Sequence, residues 1–138
     1  MTDTTPPGSR DPSSGPRGAT SLQHETDDGL VLTIDTSTEG TLVVEVDGDL
    51  DMLTAPDLRS AVLERLDVTS TIVLALDGVV FLGTSGLAVL IELREHAQRA
   101  GANLRLACTE RRVLRPLSIA GLHHLFEIHD SIADAVKL

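Results

Sequence analysis

Aromatic residues are almost missing from this 138-residue chain: Phe81 and Phe126 are the only two, with no Trp and no Tyr. A core must then be built from Leu, Val, Ile and Ala, and the 41% hydrophobic content supplies enough of them. Without rings there are no stacking platforms for single-stranded nucleic acid. Basic residues are also scarce. The formal net charge is −10, and Lys137 is the only lysine, so a phosphate backbone is a poor match and no direct nucleic-acid partner is expected. One cysteine, Cys108, excludes an internal disulfide and thiolate zinc sites, which points to a reducing, cytoplasmic setting. No apolar run approaches the roughly 18 residues of a membrane helix. The first 29 residues hold no continuous apolar stretch of the secretory kind, so no membrane partner is expected.

What is present fits a single domain. Of residues 1–21, fifteen are Pro, Gly, Ser or Thr. Such a segment has too little apolar surface to offset its ordering entropy, and residues 1–28 are expected to form a disordered tail before a domain at 29–138. From Leu30 the texture changes. LVLTID and TLVVEVDG alternate as strands and suit a hairpin. Thr54 as N-cap, Pro56 in the first turn and Asp57 three residues after Thr54 open a helix with Leu58, Ala61, Val62 and Leu66 on one face. The β-branched run Thr71–Leu76 reads as a strand covered by helices on both faces, punctuated by Asp77-Gly78. A second helix opens at Thr84-Ser85-Gly86 and ends at Gly101. NLRLAC is a strand, with Thr109 as the next cap. Val113, Leu114 and Leu117 mark a third helix, which contains Pro116 and stops at Gly121. A short FEI strand and a helix from Asp130 to Val136 follow. This alternation predicts an α/β fold: a mixed, mostly parallel sheet with an N-terminal hairpin and about four helices.

Charge is uneven. Asp35 to Asp57 holds seven acids and no base, and Arg94 to Arg115 holds six arginines and two acids. Either cluster reads as a solvated face or as a patch that steers a partner.

Catalytic readings fail on spacing. Gly83-Thr84-Ser85-Gly86-Leu87 is close to the nucleophile elbow G-x-S-x-G, but Leu87 stands where the strained turn needs glycine. No spacing selects a base among His96, His123, His124 and His129. Asp77 ends an apolar run, as a phosphoaspartate does, yet the acidic pair and lysine of such a site are missing. There is no glycine-rich phosphate loop. Adjacent His123 and His124 point apart and lack further ligands. No catalytic residue, metal or cofactor is expected. Ser85 at a helix start reads, by itself, as a cap.

Read together, four segments resemble the STAS domain, and specifically bacterial anti-sigma factor antagonists. They are Val46–Asp51 with Thr54-Ala55-Pro56; IVLALDGVVFLGTSGLAVLIELREHAQRAGANLRL; Arg111–Leu117; and Leu122–Phe126 with the final Asp-Ser-Ile-Ala-Asp-Ala. They cover about residues 30–137. The resemblance implies a non-enzymatic protein that binds an anti-sigma factor of the serine-kinase type, frees a sigma factor and so starts transcription. The kinase would switch it off by phosphorylating a serine in a D-S-S-G-type motif, and a serine phosphatase would reverse this. Here the motif reads Gly83-Thr84-Ser85-Gly86. Ser85 matches the acceptor, Thr84 the preceding serine (an alternative acceptor), and Asp51 an acidic residue of the facing loop. Asp49, Asp51, Gly83, Thr84, Ser85, Gly86 and Leu87 are the implied partner-binding set. The motif's leading Asp is Gly83 here, which favours an alternative: a STAS scaffold or adaptor, stressosome-like or transporter-associated, that phosphate does not switch.

Overall fold

The computed structural model describes residues 21–25 and 29–137. Its strands are β1 (Ser21–Glu25), β2 (Val31–Asp35), β3 (Thr41–Leu50), β4 (Thr71–Leu82), β5 (Asn103–Ala107) and β6 (Glu127–His129). Its helices are α1 (Ala55–Leu63), α2 (Thr84–Arg99), α3 (Arg111–Ile119) and α4 (Ile132–Ala135). The strands form one sheet in chain order; β1, β2 and β3 pair antiparallel, and β3 to β6 pair parallel. The expected α/β architecture, with its mostly parallel sheet and four helices, is what the chain adopts.

Strand alternation assigns the two faces. Leu42, Val44 and Val46 of β3, Ile72, Leu74 and Leu76 of β4, and Leu106 of β5 point to one side. There they meet Leu58 and Val62 of α1, Leu90 and Leu93 of α2, and Val113 and Leu117 of α3. The opposite row is thinner. Val43, Val73 and Ala107 are covered by Ala135 and Ile132 of α4, and further along the same strands Glu45, Asp47 and Asp77 are exposed. Helices therefore cover β4 on both faces, as its apolar run implied, but unequally. Three lie on one side and a single four-residue helix on the other.

Three expectations are corrected. Ser21–Glu25 fell within the expected tail, but it pairs antiparallel with Val31–Asp35 as a sixth strand; the remainder of that tail, residues 1–20 and 26–28, lies outside the described residues. Asp77-Gly78 does not end β4, which runs on to Leu82 while its pairing with β3 slips between Glu45 and Asp47. Gly78 permits this close approach, since a Cβ there would overlap the Asp47 carboxylate. Thr109 does not cap α3. Its N–H and that of Glu110 donate to Asp77 Oδ1, at 2.7 and 3.1 Å, so the neighbouring strand holds the approach to the helix. The third helix is as expected: α3 contains Pro116, continues to Ile119 and is followed by Gly121 at φ 76°.

Candidate functional site

β3 and β4 end side by side, with Asp49 opposite Phe81 and Leu50 opposite Leu82. The loop before α1 and the turn before α2 therefore leave the same edge of the sheet. The Gly83 N–H donates to the Leu50 carbonyl at 3.0 Å and ties one to the other. Gly83 is extended (φ −87°, ψ 177°) and serves as the N-cap of α2, with no side chain to cap it. Thr84 and Ser85 are the first two helical residues. Thr84 is exposed and Ser85 half-buried. Neither hydroxyl has a hydrogen-bond partner among the described residues, so the reading of Ser85 as a cap is not what the geometry gives. Gly86 is buried beneath them, and a Cβ there would stand 2.7 Å from both the Leu50 carbonyl oxygen and Leu82 Cδ1.

The facing loop is organised by Asp51. Its Oδ1 accepts from the N–H groups of Leu53 (3.0 Å) and Thr54 (3.2 Å), an Asx turn. Thr54, fully buried, is not the side-chain cap expected of it. Its hydroxyl donates back to the Asp49 carbonyl at 2.7 Å and accepts from the Asp51 N–H at 3.0 Å. The carboxylate expected to meet a partner is thus largely engaged in shaping its own loop. The loop presents two apolar side chains to water, Met52 at 73% and Leu53 at 63% exposure, and Phe81 stands near the turn at 56%. Asp49 is exposed beside them.

Between α1 and α2 lies a groove of about 250 Å³. Ser85 lines it with Met52, Ala55, Pro56, Ala88 and Val89, and with Arg59 and Glu92. Arg59 Nε donates to Glu92 Oε2 across the groove, and this bond holds the Glu92 carboxyl below its ordinary pKa. Leu87 points elsewhere. It lines a second groove with Arg112, Arg115, Pro116, Ile119 and Ala120. Of the implied partner-binding set, six residues therefore gather at one edge and Leu87 faces α3.

Sequence reasoning missed Met52, Leu53, Phe81 and the Arg59–Glu92 pair. The apolar dipeptide between Asp51 and Thr54 was a readable signal, since a loop gains nothing from exposing it unless something covers it. The ion pair spans 33 positions and had no local signature. For catalysis, Ser85 Oγ has no hydrogen bond to a histidine or carboxylate among the described residues, which also hold no group of three or more metal-ligating side chains. No helix among them is long and apolar enough to cross a membrane.

The geometry agrees with comparisons to known proteins. The chain is 29% identical over 100 residues, 70% of its length and 80% of the relative's, to the anti-sigma-F factor antagonist RsfB of Mycobacterium tuberculosis. It is 24% identical over 90 residues to the anti-sigma-B factor antagonist of Bacillus subtilis, covering 65% of this chain and 83% of that one. The crystal structure of an anti-sigma factor antagonist from Mycobacterium paratuberculosis superposes with a TM-score of 0.65 at 28% identity, covering 86% of this chain and 91% of the other. The sequence profile of the STAS domain matches residues 34–135. By that match and by its fold, the chain belongs to the STAS domain family.

Proposed function

We propose that this protein is a cytoplasmic anti-sigma factor antagonist without enzymatic activity of its own. It binds an anti-sigma factor of the serine-kinase type, frees the sigma factor and allows transcription. The observation that carries the reading is the edge where an unpartnered Ser85 hydroxyl, the exposed apolar Met52, Leu53 and Phe81, and Asp49 sit together. An apolar patch rimmed by polar groups suits a protein partner. The relatives' names supply the partner class.

The partner's ATP provides the switch. Ser85 Oγ attacks the γ-phosphorus, ADP leaves, and the hydroxyl proton passes to solvent or to a base of the kinase. A serine phosphatase restores the hydroxyl. The product carries about −1.5 to −2 charges. A groove walled by Ala55, Pro56, Ala88 and Val89 fits a partner packed against a neutral hydroxyl. The same packing would have to desolvate a phosphate, which is costly.

The test is affinity capture from lysate with wild type and Ser85→Asp, read by mass spectrometry. The expected result is an anti-sigma factor retained by wild type and depleted on the variant. Equal retention, or capture with no anti-sigma factor, counts against the reading.

Gly83 favours a second reading, an adaptor that phosphate does not switch. Its backbone is an ordinary extended one that Asp also adopts. If Gly83→Asp accepts phosphate from the kinase partner and wild type does not, the adaptor reading holds for the natural chain.

A further inference from the structure

Two oppositely charged side chains share the Ser85 groove, and the proposed switch as stated uses neither. Arg59 is the fifth residue of α1; Ser85 and Glu92 are the second and ninth of α2. The two helices start from adjacent strand ends, Leu50 and Leu82, at the same sheet edge. At about 1.5 Å rise per residue, Ser85 and Glu92 lie roughly 10 Å apart on one face of α2, and Arg59 lines the same groove from α1. Its guanidinium is bound to Glu92 but is 45% exposed, and the Glu92 side chain is 39% exposed, so the pair is free to part. Exposed pairs of this kind are weak. Glu92 also has a substitute partner, since His96 Nε2 lies 3.5 Å from its Oε2.

We infer that Arg59 is the receptor for a phosphoryl group on Ser85: on modification it leaves Glu92 and pairs with the phosphate across the α1–α2 groove. The deduction rests on Ser85 being the modified residue. A phosphate offers more charge than a carboxylate and three acceptor oxygens, and the planar fork of an arginine matches it bidentately. The same groove holds both groups, so a change of the long Arg59 side chain is the movement the clamp asks for. The consequence is regulatory. The clamp would draw the phosphate into the groove, close over Ala55 and Ala88, and make the modified form a defined state with its docking groove filled from within.

The experiment installs phosphoserine at position 85 of the full chain during translation and follows the phosphate by phosphorus NMR across pH. In the Arg59 background its second pKa is expected roughly half a unit below that in Arg59→Gln, because a facing cation favours the dianion. Arg59→Lys should recover part of the difference. Glu92→Gln should lower the pKa further, since no carboxylate then competes for Arg59. Identical titrations in wild type and Arg59→Gln would overturn the clamp. Because the phosphate is placed without the kinase, this outcome is independent of whether the kinase modifies Ser85, which is read by phosphopeptide mapping of the natural reaction.

Discussion

Gly86 is pressed against Leu50. A methyl group added to the glycine would stand 2.7 Å from the Leu50 carbonyl oxygen and 3.1 Å from Leu50 Cγ. The same carbonyl accepts from Gly83, so one peptide of β3 fixes the whole turn that carries Thr84 and Ser85. Gly86→Ala should therefore destabilise the fold by about 1–3 kcal/mol through overpacking. It should also weaken partner binding, because the turn must move outward. Gly83→Asp is the contrast. A Cβ there presses on the edge of the exposed Phe81 ring, at 3.0 Å, which can swing away, and meets the Leu50 carbonyl oxygen at an ordinary 3.8 Å. Its stability should stay within about 0.5 kcal/mol of wild type. Urea denaturation of both variants checks the pair.

Leu74 is fully buried on the sheet face that carries α1, α2 and α3. Leu74→Ala should cost about 2–5 kcal/mol. Val73, its neighbour on the opposite face, packs in the smaller cluster under α4. Val73→Ala should cost less than Leu74→Ala. Equal losses in denaturant melts would mean that the two faces contribute alike.

Asp77 links β4 to the start of α3. Burial pulls its pKa upward, but hydrogen bonds from Thr109 and Glu110 outweigh this and hold it below the ordinary value. A carboxylate with a depressed folded pKa adds stability above its unfolded pKa of about 3.9, and that stability fades as pH falls through the folded value. Asp77→Ala should thus be less stable than wild type at pH 7 by about 1 kcal/mol, the order of the net worth of a hydrogen bond. The gap should narrow below about pH 4. Thermal melts at pH 7 and pH 3 compare the two.

Cys108 is buried at 2% exposure, and its thiol pKa is pushed up to about 12, chiefly by burial and then by Asp77 nearby. The thiolate is the reactive form. Iodoacetamide at pH 8 should leave native protein unmodified and label it fully in denaturant. Rapid labelling of the folded chain would contradict this.

Much of the fold was legible because its signals are local. Leu87, Leu90, Ile91, Arg94 and Ala97 recur at helical spacing and announce α2, although the side chains it buries include Val89 and Leu93 beside Leu90 and Ala97; Leu42, Val44 and Val46 alternate, and Gly101 and Gly121 take the positive φ that ends a helix. The misreadings arose where a distant group overrides a local cue. Asp77-Gly78 looks like a turn, yet Asp47 of the next strand uses that glycine for close approach. Thr54 looks like a cap, yet the Asp49 carbonyl five residues earlier takes its hydroxyl. Ser21–Glu25 is too polar to announce a strand and is held by pairing with β2. Of the site, the motif at 83–86 was visible from its residues. The Arg59–Glu92 pair joins α1 to α2 across 33 positions and depends on the two helices packing side by side.

The most direct measurement uses the purified kinase-type anti-sigma factor. Its binding to wild type, to Ser85→Asp and to Ser85→Ala is followed by calorimetry, and the product of incubation with ATP is mapped by mass spectrometry. The account predicts phosphate on Ser85 in wild type, none on Ser85→Ala, and retained binding by Ser85→Ala. It also predicts binding by Ser85→Asp weaker by about tenfold or more, at least ~1.4 kcal/mol. Binding by Ser85→Asp as tight as wild type, or phosphate on Thr84 in place of Ser85, would contradict it.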